Sequence, residues 1–266
     1  MSRGRVLIVA GSDSGGGAGI QADIKAVTAL GGHAASAITA LTAQNTMGVF
    51  GIHEVPLEFL RQQMELVLED IGADCIKTGM LHSPAVIELV ADVLEAKAPE
   101  VPVVVDPVMV AKGGARLLQE QATEALRARM LPLATVLTPN VPEAEILAGM
   151  DIPDAAAQRA AGEVLRGHGA RAVLMKGGHM PGETICDLLL GESGEEAFTG
   201  PRIDTRHTHG TGCTLASAIA CGLALGRPLA DAVGRARNYV AEAIRTAPGL
   251  GQGHGPLNHG HTMRPA

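Results

Sequence analysis

At 266 residues the chain is long enough for one large core, and a formal charge of −7 with only 2% aromatic residues removes the basic footprint and the stacking platforms of a nucleic-acid binder. The hydrophobic fraction is 46%, yet the longest apolar stretch, Leu215 to Leu225, falls far short of the roughly 18 residues of a membrane span. Cys75, Cys186, Cys213 and Cys221 are scattered with no C-x-x-C pair, which argues against a disulfide framework and a structural zinc site; small-molecule partners and a cytoplasmic setting are the expectation.

In chain order, "MSRGRVLIVAG" has too few apolar residues before Gly11 for a signal-peptide core. From there short β-branched runs alternate with helical patterns. "RVLIVA" precedes a helix over Gly19 to Leu30, "DCIKTG" one over Pro84 to Ala96, and "VPVVVDP" one over Gln119 to Arg129. "TVLTPN" precedes a helix over Pro142 to Ala148, and "AVLMKGG" follows one over Ala155 to Gly167. Continuous apolar strands between helices predict an α/β fold of three layers, a mostly parallel central sheet covered on both faces, as one domain over residues 1–266. Two stretches, from His33 and from Glu183, each read as two strands around a turn. The first is expected to form a small flap over the sheet edge, and that edge suggests a homodimer; the second is expected to extend the sheet antiparallel. The final "GQGHGPLNHGHTMRPA" reads as irregular and mobile.

Ligands of open parallel sheets collect beyond the carboxyl ends of the strands, where the unusual residues of this chain fall. "GSDSGGGAGIQAD" links the first strand to the first helix, and its glycines are expected to turn backbone N–H groups toward an anion or substrate. No Gly-Lys-Ser/Thr follows, so it is not a Walker loop. Gly17, Gly19 and Ala22 match a loose dinucleotide pattern, but no acid between Asp23 and Glu54 is placed to hold a ribose. "HGTGCT" is a second glycine loop entering a helix, with the N–H groups of Thr211, Gly212 and Cys213 at the positive end of its dipole. Asp106 in "VDPVM", Asn140 and Glu143 in "TPNVPEAE" and Lys176 in "KGGH" add oxygen ligands suited to Mg²⁺ and a point charge suited to phosphate. Each alone is as consistent with a helix cap or a solvated strand end; together they form a kit for phosphoryl transfer from a nucleotide.

"GSDSGGGAGIQAD", "ALTAQNT", "KTGM", "VDPVM", "TPNVPEAE", "KGGH" and "HTHGTGCT" occur in this order over nearly the whole chain, and the set resembles the hydroxymethylpyrimidine/phosphomethylpyrimidine kinases of thiamine biosynthesis, in the ribokinase-like superfamily. The resemblance implies ATP-dependent phosphorylation of 4-amino-5-hydroxymethyl-2-methylpyrimidine to the monophosphate and then the diphosphate. It implies that Gln44 hydrogen-bonds the aminopyrimidine and that Gly11, Ala18, Asp23 and Met80 surround it. It further implies that Gly210, Thr211, Gly212 and Cys213 cradle the transferred phosphate. Lys176 and Asn140 would contact the nucleotide, and Glu143 would organise Mg²⁺ with Asp106 assisting through water. Gly15 stands where the family commonly has serine, which is expected to loosen the first loop. A pyridoxal kinase of the same superfamily, or a nucleotide-binding sensor without catalysis, are the alternatives.

Cys213 stands where many superfamily relatives carry a catalytic aspartate. A helix N-terminus lowers a thiol pKa, so the reading taken is a thiolate base for the first transfer, against a positioning residue or a covalent nucleophile. A base would make Cys213→Ala slow the first phosphorylation far more than the second, whose attacking phosphate is already ionised. His179, His207, His209, His254, His259 and His261 fit no zinc spacing.

Overall fold

The computed structural model describes residues 4–110, 114, 117–119 and 121–263. β1 (Arg5–Asp13), α1 (Gly19–Ala29) and β2 (His33–Asn45) are followed by β3 (Gly48–Glu54), α2 (Leu57–Asp70), β4 (Cys75–Thr78) and α3 (Pro84–Lys97). β5 (Val103–Val105) leads to a short α4 (Ala122–Ala125), which continues as a π-helical turn over Leu126–Met130, and then to β6 (Val136–Leu137). α5 (Val141–Ala148), α6 (Ala155–Gly167), β7 (Val173–Met175), the hairpin β8 (Thr184–Gly191) and β9 (Gly194–Pro201), α7 (Thr211–Ala224) and α8 (Leu229–Arg245) complete the order. All nine strands join one sheet in the order β3-β2-β1-β4-β5-β6-β7-β8-β9. The pairs from β2 to β7 are parallel, and β3, β8 and β9 are antiparallel.

The period of two along β1 divides the core between two faces. Leu7 and Val9 pack with apolar residues of α2, α3, α5 and α6, while Val6, Ile8 and Ala10 pack with those of α1, α7 and α8. The structure is the three-layer α/β/α sandwich expected, with its antiparallel additions at both edges.

Four details differ from the sequence reading. β2 is no separate flap, because it pairs with β1 from Arg5↔His33 to Asp13↔Thr42; only its end and β3 project. α2 and α8 were not anticipated: α2 buries only Leu60 and Met64, whereas α8 buries a clear stripe that includes Val233, Tyr239 and Val240 and that the sequence reading passed over. The helix expected from Gln119 starts at Ala122, while Glu120 lies outside the described residues. The C-terminal stretch is docked as far as it is described. Tyr239 Oη donates to the His259 carbonyl at 2.7 Å, and His259 Nε2 lies 2.9 Å from Thr214 Oγ1 in α7. Residues 264–266 lie outside the described residues.

Candidate active site

The loop after β1 is held by its own aspartate. Asp13 accepts the backbone N–H groups of Gly15 (2.8 Å), Gly17 (3.0 Å) and Ala18 (2.8 Å), and His209 Nε2 lies 2.9 Å from its Oδ2. Burial works against the Asp13 charge, but His209 and these N–H groups outweigh it and lower the carboxyl below its ordinary range. The expectation that this loop presents its N–H groups to an anion or substrate is corrected for Gly15, Gly17 and Ala18, whose N–H groups Asp13 has taken. The bond from the Gly15 N–H, one of those three, is made by the backbone and needs no side chain at that position.

The second loop keeps two of its three donors. Gly210, at φ 83°, caps α7 without a side-chain cap, and the Thr211 N–H is engaged by the Thr208 carbonyl at 3.3 Å. The first-turn N–H groups of Gly212 and Cys213 have no partner within the helix, since an α-helix supplies none there. The two loops interlock, because a Cβ at Gly210 would lie 1.8 Å from the Gly17 carbonyl oxygen. A Cβ at Gly212 would lie 3.3 Å from Lys176 Nζ and 3.8 Å from an Asp106 oxygen, so the start of α7 comes close to those side chains at a position where glycine carries none.

Lys176, Asp106, Glu143 and Asn140 do come together. Lys176 Nζ lies 3.2 Å from Asp106 Oδ1 and 3.9 Å from Glu143 Oε2, and the Lys176 backbone bridges Asn140 in parallel. Asn140 and Glu143 form a capping box on α5: Glu143 N–H donates to Asn140 Oδ1, and Asn140 N–H to Glu143 Oε2, both at 2.9 Å. The Asn140 side chain is thereby engaged in the fold. Burial raises Glu143 to about 7 despite Lys176. The buried Asp106 Oδ2 has no hydrogen-bond partner among the described residues. An open carboxylate oxygen beside a second carboxylate and a lysine suits Mg²⁺, which keeps much of its water shell.

Two expectations about charge are overturned. Asp23 is no pocket residue: it is fully buried, with both carboxylate oxygens 2.9 Å from the equally buried Lys77 Nζ, and Ser217 Oγ donates to it at 2.7 Å. Burial opposes the Lys77 charge, yet Asp23 holds the lysine protonated. At Cys213, burial pushes the thiol up to about 12; Lys77 and the Gly19 N–H pull it down without prevailing, while Asp23 and Asp106 add to the rise. The helix N-terminus does not produce the thiolate expected from sequence.

Gln44 lies at a bulge between β2 and β3, where the register shifts after Ala43. Ser14 Oγ anchors its backbone, accepting its N–H and donating to its carbonyl at 2.8 Å each. Its side chain lies 3.1 Å from Thr42 Oγ1 and 3.2 Å from His209 Nε2. Ala18 is the N-cap of α1, and a Cβ at Gly11 would lie 3.1 Å from Met80 Sδ, which puts these residues on the same side as the first loop. Asp13, Lys77 and the role of His209 were missed in the sequence. A lysine in a fully buried parallel strand was the available signal, since such a charge demands a partner.

Residues 13–258 match the family described as phosphomethylpyrimidine kinase. The chain is 51% identical to the hydroxymethylpyrimidine/phosphomethylpyrimidine kinase of Streptomyces coelicolor, over 97% of this chain and 95% of that protein. It is 53% identical to the thiamine biosynthesis bifunctional protein ThiED of Geobacter sulfurreducens over 97% of this chain, and spans 52% of that longer relative. The pyridoxal kinase of Staphylococcus aureus in complex with AMP-PCP and pyridoxal superposes with a TM-score of 0.91 at 33% identity, covering 99% of this chain and 96% of that one.

Proposed function

The chain belongs to the phosphomethylpyrimidine kinase family and is a kinase of thiamine biosynthesis, and from that premise we propose that a single pocket performs two transfers from ATP. The first phosphorylates the hydroxymethyl group of 4-amino-5-hydroxymethyl-2-methylpyrimidine, and the second extends the monophosphate to the diphosphate. The observation that carries this reading is the close approach of the start of α7 to Lys176, where a Cβ on Gly212 would come within 3.3 Å of Nζ. Free N–H groups on one side and an ammonium on the other suit a phosphoryl group, whose loose transition state needs positioning and charge more than covalent help. His209 lies two residues before Thr211 on the same segment and touches Gln44, which joins the phosphate end to the ring end.

In this reading Lys176 draws the ATP phosphates toward the start of α7. Gln44 holds the aminopyrimidine, with Gly11, Ala18 and Met80 shaping the space around it. Asp106 and Glu143 would hold Mg²⁺, and the ion would supply charge neutralisation for the phosphates. Asn140 contributes by capping α5, which fixes Glu143. Cys213 positions, since burial beside Asp23 and Asp106 favours its protonated thiol. The reading takes residues 1–266 as one kinase domain, cytoplasmic, with no nucleic-acid partner. Cys75, Cys186, Cys213 and Cys221 are all free thiols, and no helix among the described residues is long and apolar enough to cross a membrane. It also includes a homodimer: Phe50 on the edge strand β3 is 73% exposed and Met47 beside it 62%, a patch a partner would cover. Light scattering that gives a monomer at micromolar concentration removes that element.

The test mixes the protein with Mg-ATP and the pyrimidine alcohol and follows substrate, monophosphate and diphosphate by mass over time. Monophosphate that rises and then converts to diphosphate is the expected result, and product that stops at the first stage contradicts the two-step reading. The likeness to a pyridoxal-bound kinase makes pyridoxal the competing substrate. A higher kcat/KM for pyridoxal than for the pyrimidine alcohol reverses the assignment.

A further inference from the structure

Gln44 offers an amide whose two ends are chemically opposite, and its two neighbours determine which end points where. His209 Nε2 lies 2.9 Å from Asp13 Oδ2, a buried carboxylate with a lowered pKa that can only accept. The ring nitrogen therefore carries its proton toward Asp13 and has no lone pair free for an amide N–H. Yet Gln44 Nε2 lies 3.2 Å from that same Nε2. At the other end, Thr42 Oγ1 lies 3.1 Å from Gln44 Oε1 and 2.9 Å from the Ser12 carbonyl, and one hydroxyl proton cannot serve both. Turning the amide over satisfies every atom: Gln44 Oε1 shares the His209 Nε2 proton with Asp13, Gln44 Nε2 donates to Thr42 Oγ1, and Thr42 Oγ1 donates to the Ser12 carbonyl.

We propose that His209, held by Asp13, is a specificity-determining positioning residue that fixes the orientation of the Gln44 amide. The inference rests on the reading of Gln44 as the ring contact and adds what sets its polarity. With one oxygen lone pair engaged by His209 and one N–H by Thr42, the amide has one acceptor and one donor left, side by side. That pair matches a ring that presents an amino group next to an unprotonated ring nitrogen. A ring offering two acceptors there leaves the amide oxygen unpaired, a penalty the aminopyrimidine does not incur. Gly17 is part of the device, because a Cβ there would lie 2.5 Å from His209 Cδ2 and push the imidazole away.

The experiment measures KM for the pyrimidine alcohol and for ATP in Gln44→Ala, His209→Leu, His209→Gln and the double variant Gln44→Ala with His209→Leu. Gln44→Ala and His209→Leu should each raise the pyrimidine KM roughly tenfold, as expected for a lost buried hydrogen bond, with the ATP KM within about twofold of the parent. The double variant should be no worse than Gln44→Ala, because His209 acts only through the amide. His209→Gln, whose terminal NH₂ supplies protons to both Asp13 and Gln44, should recover most of the loss. An unchanged pyrimidine KM in His209→Leu, or a His209 effect that persists in the Gln44→Ala background, overturns the inference while leaving the substrate assignment intact. An unchanged pyrimidine KM in Gln44→Ala overturns both. If His209→Leu does not fold, Thr42→Val removes the other partner of the amide, and the same requirement of non-additivity with Gln44→Ala decides the matter.

Discussion

Lys77 carries a charge with no water around it, and Asp23 is the reason it can. Removing one member of a buried pair strands the other, at a cost of about 3–5 kcal/mol, whereas removing both is far milder. Lys77→Met should therefore lose stability on that scale in urea denaturation, and Lys77→Met with Asp23→Leu should recover most of it. Equal losses in the single and double variants would show that the pair does not act as a unit. Cys213 is the second residue whose surroundings decide its chemistry. With the thiol held protonated, Cys213→Ala should slow the two phosphoryl transfers by comparable factors in single-turnover experiments. A first-step loss about tenfold larger than the second would restore the thiolate base.

At the scale of elements, α7 is the part on which transfer depends. Gly212→Ala should lower kcat by about tenfold or more, because its methyl enters the space facing Lys176, while the pyrimidine KM stays within about twofold. A raised KM with unchanged kcat would place the phosphoryl group elsewhere. The elements differ in how plainly the sequence announced them. α6 was legible to its ends, with Asp154 capping Ala157 N–H and a strong apolar stripe. α2 was not, since only Leu60 and Met64 mark its buried face, whereas the apolar stripe of α8 with Val233, Tyr239 and Val240 was present in the sequence and was missed. Asp106, Asn140, Glu143 and Lys176 were legible because polar residues directly after apolar parallel strands have one common destination, the rim where ligands bind. The Asp13–His209 and Lys77–Asp23 contacts were not, because a contact between residues 196 or 54 positions apart leaves no local pattern to read.

On the scale of the whole molecule, the docked C-terminal stretch ties stability to pH. Burial lowers His259 to about 4 from an ordinary value of 6.5, so below pH 6.5 the unfolded chain takes up a proton that the folded one refuses. The folded state thus has the full benefit of a neutral His259 above pH 6.5 and loses it as the pH falls toward 4, on the order of 3 kcal/mol in all. Urea denaturation between pH 7.5 and 4.5 should show a shallower loss in His259→Asn than in the parent, and identical slopes would remove His259 as the cause. The docking of the two glycine loops has a further consequence. Asp13 and His209 stand 196 positions apart, so the two loops beside the pocket come from distant parts of the chain. A ligand lodged between them acts as a removable cross-link. It must slow hydrogen exchange in both segments together, and its binding energy opposes the opening of the fold as a whole rather than of one loop.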